Sequence, residues 1–154
     1  MNRGFGLIEI IIVLAIAVTA IFALSAVSAF SLRAITERGV EARAGEVAAE
    51  GLEAARALRD SGWTNIASKT IGAPYYATST LTDWTLSLTN PGKVDGVFTR
   101  QVTFERVFRD ASDNIAVSGT EDTRARKVTI QVTWDARGGS KTYTLTSYLM
   151  DIPR

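Results

Sequence analysis

Between Glu9 and Arg33 the chain runs for 23 residues, Ile10 to Leu32, without a charge. A helix rises about 1.5 Å per residue and the hydrocarbon core of a bilayer is about 30 Å thick, so a run this long and this apolar can cross a membrane. Directly before it stands Glu9. A carboxylate at the leading edge of a membrane helix costs free energy unless something neutralises it, and such residues normally mark function.

Three readings compete for this segment. A secretory signal peptide has a basic start, an apolar stretch of about 7–15 residues and a small-residue cleavage site. Here the basic part is only Met1-Asn2-Arg3, the apolar run is too long, and Ser25-Ala26-Val27-Ser28-Ala29 is a weak cleavage site. A plain membrane anchor accounts for the length but not for Glu9. The third reading comes from the residues before the run. Gly4-Phe5, followed by Leu7-Ile8-Glu9 and a stretch rich in Ile, Val, Ala and Leu, resembles the processing site of type IV prepilins.

That resemblance implies a sequence of events. A dedicated prepilin peptidase cuts between Gly4 and Phe5 on the cytoplasmic side and methylates the new amine of Phe5. Glu9 is retained in the membrane and forms an assembly salt bridge with the N-terminal amine of a neighbouring subunit, although within one subunit Glu9 also lies one turn from Phe5. Two departures bear on the subtype. Gly6 stands where Thr or Ser is commoner, and no proline precedes Pro74, so the kink of many major pilins is missing. Both favour a minor pilin or a pseudopilin over a major pilin. A second stretch, Ala49 to Trp63, resembles a segment of minor pilins of the pilus-modification type.

Composition narrows the function classes. Without the membrane segment about 120 residues remain, enough for one small domain. The chain carries 17 basic and 16 acidic residues, intermingled, so no basic field supports nucleic-acid binding. Histidine and cysteine are both absent. The common nucleophile–base pairs and zinc ligand sets therefore cannot be assembled, and a disulfide cannot form. The expectation is a non-enzyme without a cofactor. One exception is weighed: Asp110, Asp113, Asn114, Glu121 and Asp122 fall in one loop, and calcium takes 6–8 oxygen ligands. Their spacing matches no EF-hand, and acidic residues are ordinary in exposed loops.

Past the membrane run the helix is expected to continue. Val40, Ala44, Val47, Gly51, Ala55 and Leu58 recur at three- or four-residue steps, with charged residues on the other faces. One helix from Phe5 to about Asp60 would be roughly 80 Å long. Asp60-Ser61-Gly62-Trp63 reads as its end, with Gly62 left-handed and Trp63 folding back on Leu58 in a Schellman cap. Thr64 to Asp83 reads as loop, with Tyr75-Tyr76 packed beneath it rather than forming a surface contact. Strands follow at Trp84–Leu88, Phe98–Phe108, Lys127–Trp134 and Lys141–Met150, with turns at Asn90-Pro91-Gly92-Lys93 and at Gly138-Gly139. Arg100 and Arg106 share a face with Phe98, Val102 and Phe104, so the ends of that second strand are expected to be exposed.

The expected class is α+β: a long N-terminal helix, half transmembrane, packed on an antiparallel sheet of about four strands. This is also the type IV pilin fold that the resemblance implies. The divisions are a leader at 1–4, an assembly half-helix at 5–32 and a globular part at 33–154, made of helix 33–60 and sheet 84–150. Arg33, Arg38 and Arg43 follow the apolar run, and by themselves they would hold the C-terminal part in the cytoplasm. Glu37, Glu41 and Glu46 are interspersed with them, and the implied cleavage is cytoplasmic. The N-terminus is therefore expected inside.

The reading is a subunit, a minor pilin, of a type IV pilus or pilus-like filament. The resemblance gives it a prepilin peptidase, an assembly platform, the membrane and other pilin subunits as partners. It implies a single-pass inner-membrane protein before assembly and an extracellular or periplasmic filament afterwards. The alternatives are a pseudopilin of a type II secretion or DNA-uptake system, and an unprocessed bitopic protein whose outer domain binds something.

Overall fold

The computed structural model describes residues 6–80 and 83–152. The chain separates into two compact units, Met1–Val40 and Glu41–Arg154. Helix α1 begins in the first and ends in the second, running unbroken over the 55 residues Leu7–Ser61. No proline interrupts it, so every amide after the first turn has a carbonyl to bond four residues back.

In the second unit α1 buries Ala44, Val47, Ala48, Gly51, Leu52, Ala54 and Ala55. These positions form one stripe at helical spacing, and most are small, which lets a sheet come close. Lys127–Trp134 is extended at both ends into β5 (Thr120–Ala136). It is flanked by β3 (Thr99–Arg109) and β6 (Gly139–Met150), and a two-residue β4 (Ile115–Ala116) completes the order β4-β3-β5-β6, all antiparallel. Cross-strand rows Val102–Ile130–Leu145 and Phe104–Val128–Ser147 lie on one face. Val102, Ile130, Phe104 and Val128 are fully buried there. Each such side chain contributes about 1.5–3 kcal/mol by leaving water. The α+β class and an antiparallel sheet built on three long strands are as the residue pattern predicts. The expected strand at Trp84–Leu88 is not part of this sheet, and the short β4, which no alternation marks, takes the fourth place.

Within Thr64–Asp83 the described residues, 64–80 and Asp83, are more ordered than the loop-like composition suggests. They hold a single helical turn, α2 (Thr64–Ala67), and a strand, β1 (Tyr76–Ser79), which pairs with β2 (Trp84–Ser87) as a separate two-stranded ribbon. Ile66 is completely buried and explains the turn: one large apolar side chain anchors a segment that opens on Thr64 and Asn65. Tyr75 packs under the segment as expected, edge-on to Phe104 with centroids 5.9 Å apart, and its hydroxyl accepts the Thr70 amide at 2.9 Å. Tyr76 accepts from Gln101 Nε2 at 3.0 Å.

The end of α1 also departs from the expected cap. Gly62 N–H does donate to the Arg59 carbonyl at 3.0 Å. The Leu58 carbonyl, however, accepts side-chain donors, Ser61 Oγ at 2.8 Å and Asn65 Nδ2 at 3.4 Å. Trp63 has helical dihedrals and leads into α2. Gly62 sits at φ +156°, far from the left-handed helical value, so the Schellman geometry is not reached.

Arg100 is the main correction. Instead of lying at an exposed strand end it is only 6% exposed. Its Nη1 donates to the Val47 carbonyl at 3.2 Å and to Glu50 at 3.0 Å, and its Nη2 to the Ala77 carbonyl at 3.1 Å. The guanidinium lies 5.5 Å from the Trp84 ring centroid. Fixed fork geometry makes Arg able to bridge helix, β1 and β2 at once, which repays most of its desolvation. Arg106, by contrast, is exposed as expected.

Gly51 is what admits that side chain. A Cβ there would lie 2.9 Å from Arg100 Cδ and 3.1 Å from Ile130 Cγ2. Gly51→Ala is therefore predicted to destabilise the protein by about 1–3 kcal/mol through overpacking, despite the better helix propensity of alanine. A urea melt checks the sign, and a raised midpoint would show that Arg100 moves aside freely.

Candidate functional site

The first unit places Glu9 in the opening turn of α1. Its amide donates to the Gly6 carbonyl at 2.9 Å, and the Ile10 amide to the same oxygen at 3.3 Å, so the helix is already wound at Glu9. Acid in the first turn is favoured by the helix dipole. Gly4 and Phe5, the expected cleavage and methylation positions, lie outside the described residues.

From Leu7 to Leu32 every described residue is exposed, including Ile10, Ile11, Ile12, Leu14, Phe22 and Phe30. An 18-residue window of α1 reaches a mean hydropathy of 2.9, and the helix is long and apolar enough to cross a membrane. Three of the four hydroxyls between Leu7 and Leu32 bond back to the helix itself. Thr19 Oγ1 donates to the Ala15 carbonyl at 2.8 Å, Ser25 Oγ to Ile21 at 2.9 Å and Ser28 Oγ to Leu24 at 2.9 Å. Satisfying a hydroxyl within its own helix removes the cost of carrying it in an apolar surrounding. A Ser or Thr inside an apolar helix is the signal for this in the sequence, and reading the run by hydropathy alone passes over it.

The acidic loop weighed for calcium takes a different form. Asp110 closes a tight turn, accepting the amides of Ser112 at 2.8 Å and Asn114 at 2.9 Å, with Asp113 at φ +64°. Those amides hold its carboxyl below the usual range. Asp122 accepts from Arg109 Nε at 2.7 Å, which lowers the pKa of the carboxyl and raises that of the guanidinium. Glu121 faces Arg106 and Arg126, each at 3.7 Å. The carboxylates are thus engaged by arginines and backbone amides. Among the described residues no group of three or more Asp or Glu is placed to hold a metal ion.

A cleft of about 620 Å³ lies beside this turn, lined by Arg109, Asp110, Asp113, Asp122, Arg124 and Asp151. Its charges pair across it, Arg124 meeting Asp151 at 3.4 Å and Arg109 meeting Asp122. With Glu121 the lining holds five acidic side chains against two arginines, so the cleft is acidic on balance. The arrangement binds two strands and the turn between them together. Comparison with family models, curated proteins and solved structures gives no match to this chain.

Both depressed carboxyls bind protons more weakly in the folded than in the unfolded chain. Their stabilisation is present above the unfolded pKa and is lost as pH falls through the folded one. Stability should therefore decline between about pH 5 and pH 2, and Asp122→Asn should flatten that decline. Thermal melts across the range, on both proteins, test it. Equal slopes would show that Asp122 is not linked to folding.

Proposed function

We propose that this chain is a subunit of a type IV pilus or pilus-like filament, of the minor-pilin kind, processed between Gly4 and Phe5. The observation that carries the reading is one unbroken helix whose opening turn holds Glu9 and whose next 23 residues are apolar and exposed on every side. A lone helix apolar all round demands an apolar surrounding. Lipid supplies it before assembly, and neighbouring helices supply it afterwards.

Glu9 distinguishes this from a bare anchor. Buried among helices, a carboxylate is tolerable only when an opposite charge neutralises it. Cleavage after Gly4 creates that charge, the amine of Phe5, and in a filament the partner is the amine of the adjoining subunit. The second unit then supplies the outer surface, and the carboxylates of its cleft are committed to arginines and amides.

Mass spectrometry of the mature N-terminus is the direct test. The expected product begins at a methylated Phe5, and an intact Met1 would favour an unprocessed bitopic protein instead. Glu9→Val is predicted to leave insertion and cleavage unchanged and to reduce incorporation into filaments sharply. Normal incorporation of that variant, seen in sheared filament fractions, would rule out the charge pairing.

A further inference from the structure

Helix α1 contains three glycines beyond its first turn that can be compared by what surrounds them. Gly51 is packed so closely that a Cβ would meet Arg100 and Ile130 at 2.9 and 3.1 Å. Gly45 lies under a ring, with Tyr143 Cζ 3.6 Å from where a Cβ would stand. Gly39 has nothing within 4 Å. Packing explains the first two and leaves the third unexplained.

The place of Gly39 gives it a meaning. The apolar run ends at Leu32, and the first buried residue of the helix is Ala44. Residues 33–43 lie between these two supports with no side chain fully buried. Arg33, Thr36, Glu37, Arg38, Gly39 and Glu41 are exposed, Ala34 and Val40 half-buried, and Arg43 is tied to the domain through Asp95. Gly39 lies one residue before Val40, where the first compact unit ends. Thr36, one turn earlier, spends its hydroxyl on the Leu32 carbonyl at 2.9 Å, a bond that slightly weakens a helix. Helices without tertiary packing are marginal in water, and a glycine in the interior lowers local helix stability further.

We propose that α1 opens at Thr36–Val40, with Gly39 as the residue that makes opening easy. The helix yields there before any core residue is uncovered, so an applied bend or pull is absorbed without loss of the domain's fold. This property belongs to the helix itself and does not depend on whether the chain is cleaved or assembled.

Backbone amide hydrogen exchange on the full-length protein in detergent micelles tests it. Amides of 36–43 are expected to exchange at least about tenfold faster than those of 47–55 and of 12–30. Gly39→Ala should slow 36–43 by about fivefold and leave 47–55 unchanged. Gly45→Ala is the comparison, expected to change 36–43 much less. Equal protection across the three segments in the native protein would overturn the proposal. So would a Gly39→Ala variant that exchanges like the native chain, or a Gly45→Ala variant that slows 36–43 just as much.

Discussion

A single helix here carries two different kinds of surface. Over Ile10–Leu32 it is apolar on every side, and Thr19, Ser25 and Ser28 fold their hydroxyls back onto its own carbonyls. Over Ala44–Ala55 it is apolar on one stripe only and meets a sheet. Backbone amides in an apolar surrounding have no water to turn to, so the first stretch must be helical whatever lies around it. The second stretch gives the domain a rod with a narrow, small-residue face against which three long strands can lie.

That face works because of an exchange between a glycine and an arginine. Gly51 removes one side chain from the helix, and Arg100 occupies the space and bonds to Val47, Glu50 and Ala77. A buried guanidinium is a weak source of stability, but it is directional. Here it fixes the helix, the strand β3 and the small ribbon of β1 and β2 to one another. Its Nε is buried without a hydrogen-bond partner, so the arrangement is specific rather than fully satisfied. The contact of Arg43 with Asp95 at 2.7 Å, by contrast, is exposed and adds little.

Periodicity carries most of what the residues alone reveal. The stripe Ala44, Val47, Gly51, Ala55 and the alternation Val128, Ile130, Val132, Trp134 are both legible, because helix and strand place side chains at fixed steps. Two of the expectations that fail in the fold share a cause, polarity taken as a sign of exposure. Thr64–Asp83 has a polar, loop-like composition, yet Ile66 and Tyr75 are buried and order it from below. Arg100 is charged, yet two of its partners are main-chain carbonyls, which no sequence pattern marks. For the candidate site the residues point to Gly4, Phe5 and Glu9. The structure adds that Glu9 stands in an already wound turn at the head of a surface with no covering of its own.

The sequence by itself determined the unbroken helix, its apolar first half and the three long antiparallel strands, since chain connectivity and local spacing are enough to specify them. It also excluded thiol, imidazole and disulfide chemistry by simple absence. Only the tertiary structure decided that Arg100 lies inside, that the carboxylates around Asp110 and Asp122 are held by amides and arginines, and that three glycines of one helix have three different surroundings. Those outcomes depend on which atoms meet across distant parts of the chain, and close approach is a property of packing that no single stretch of residues contains.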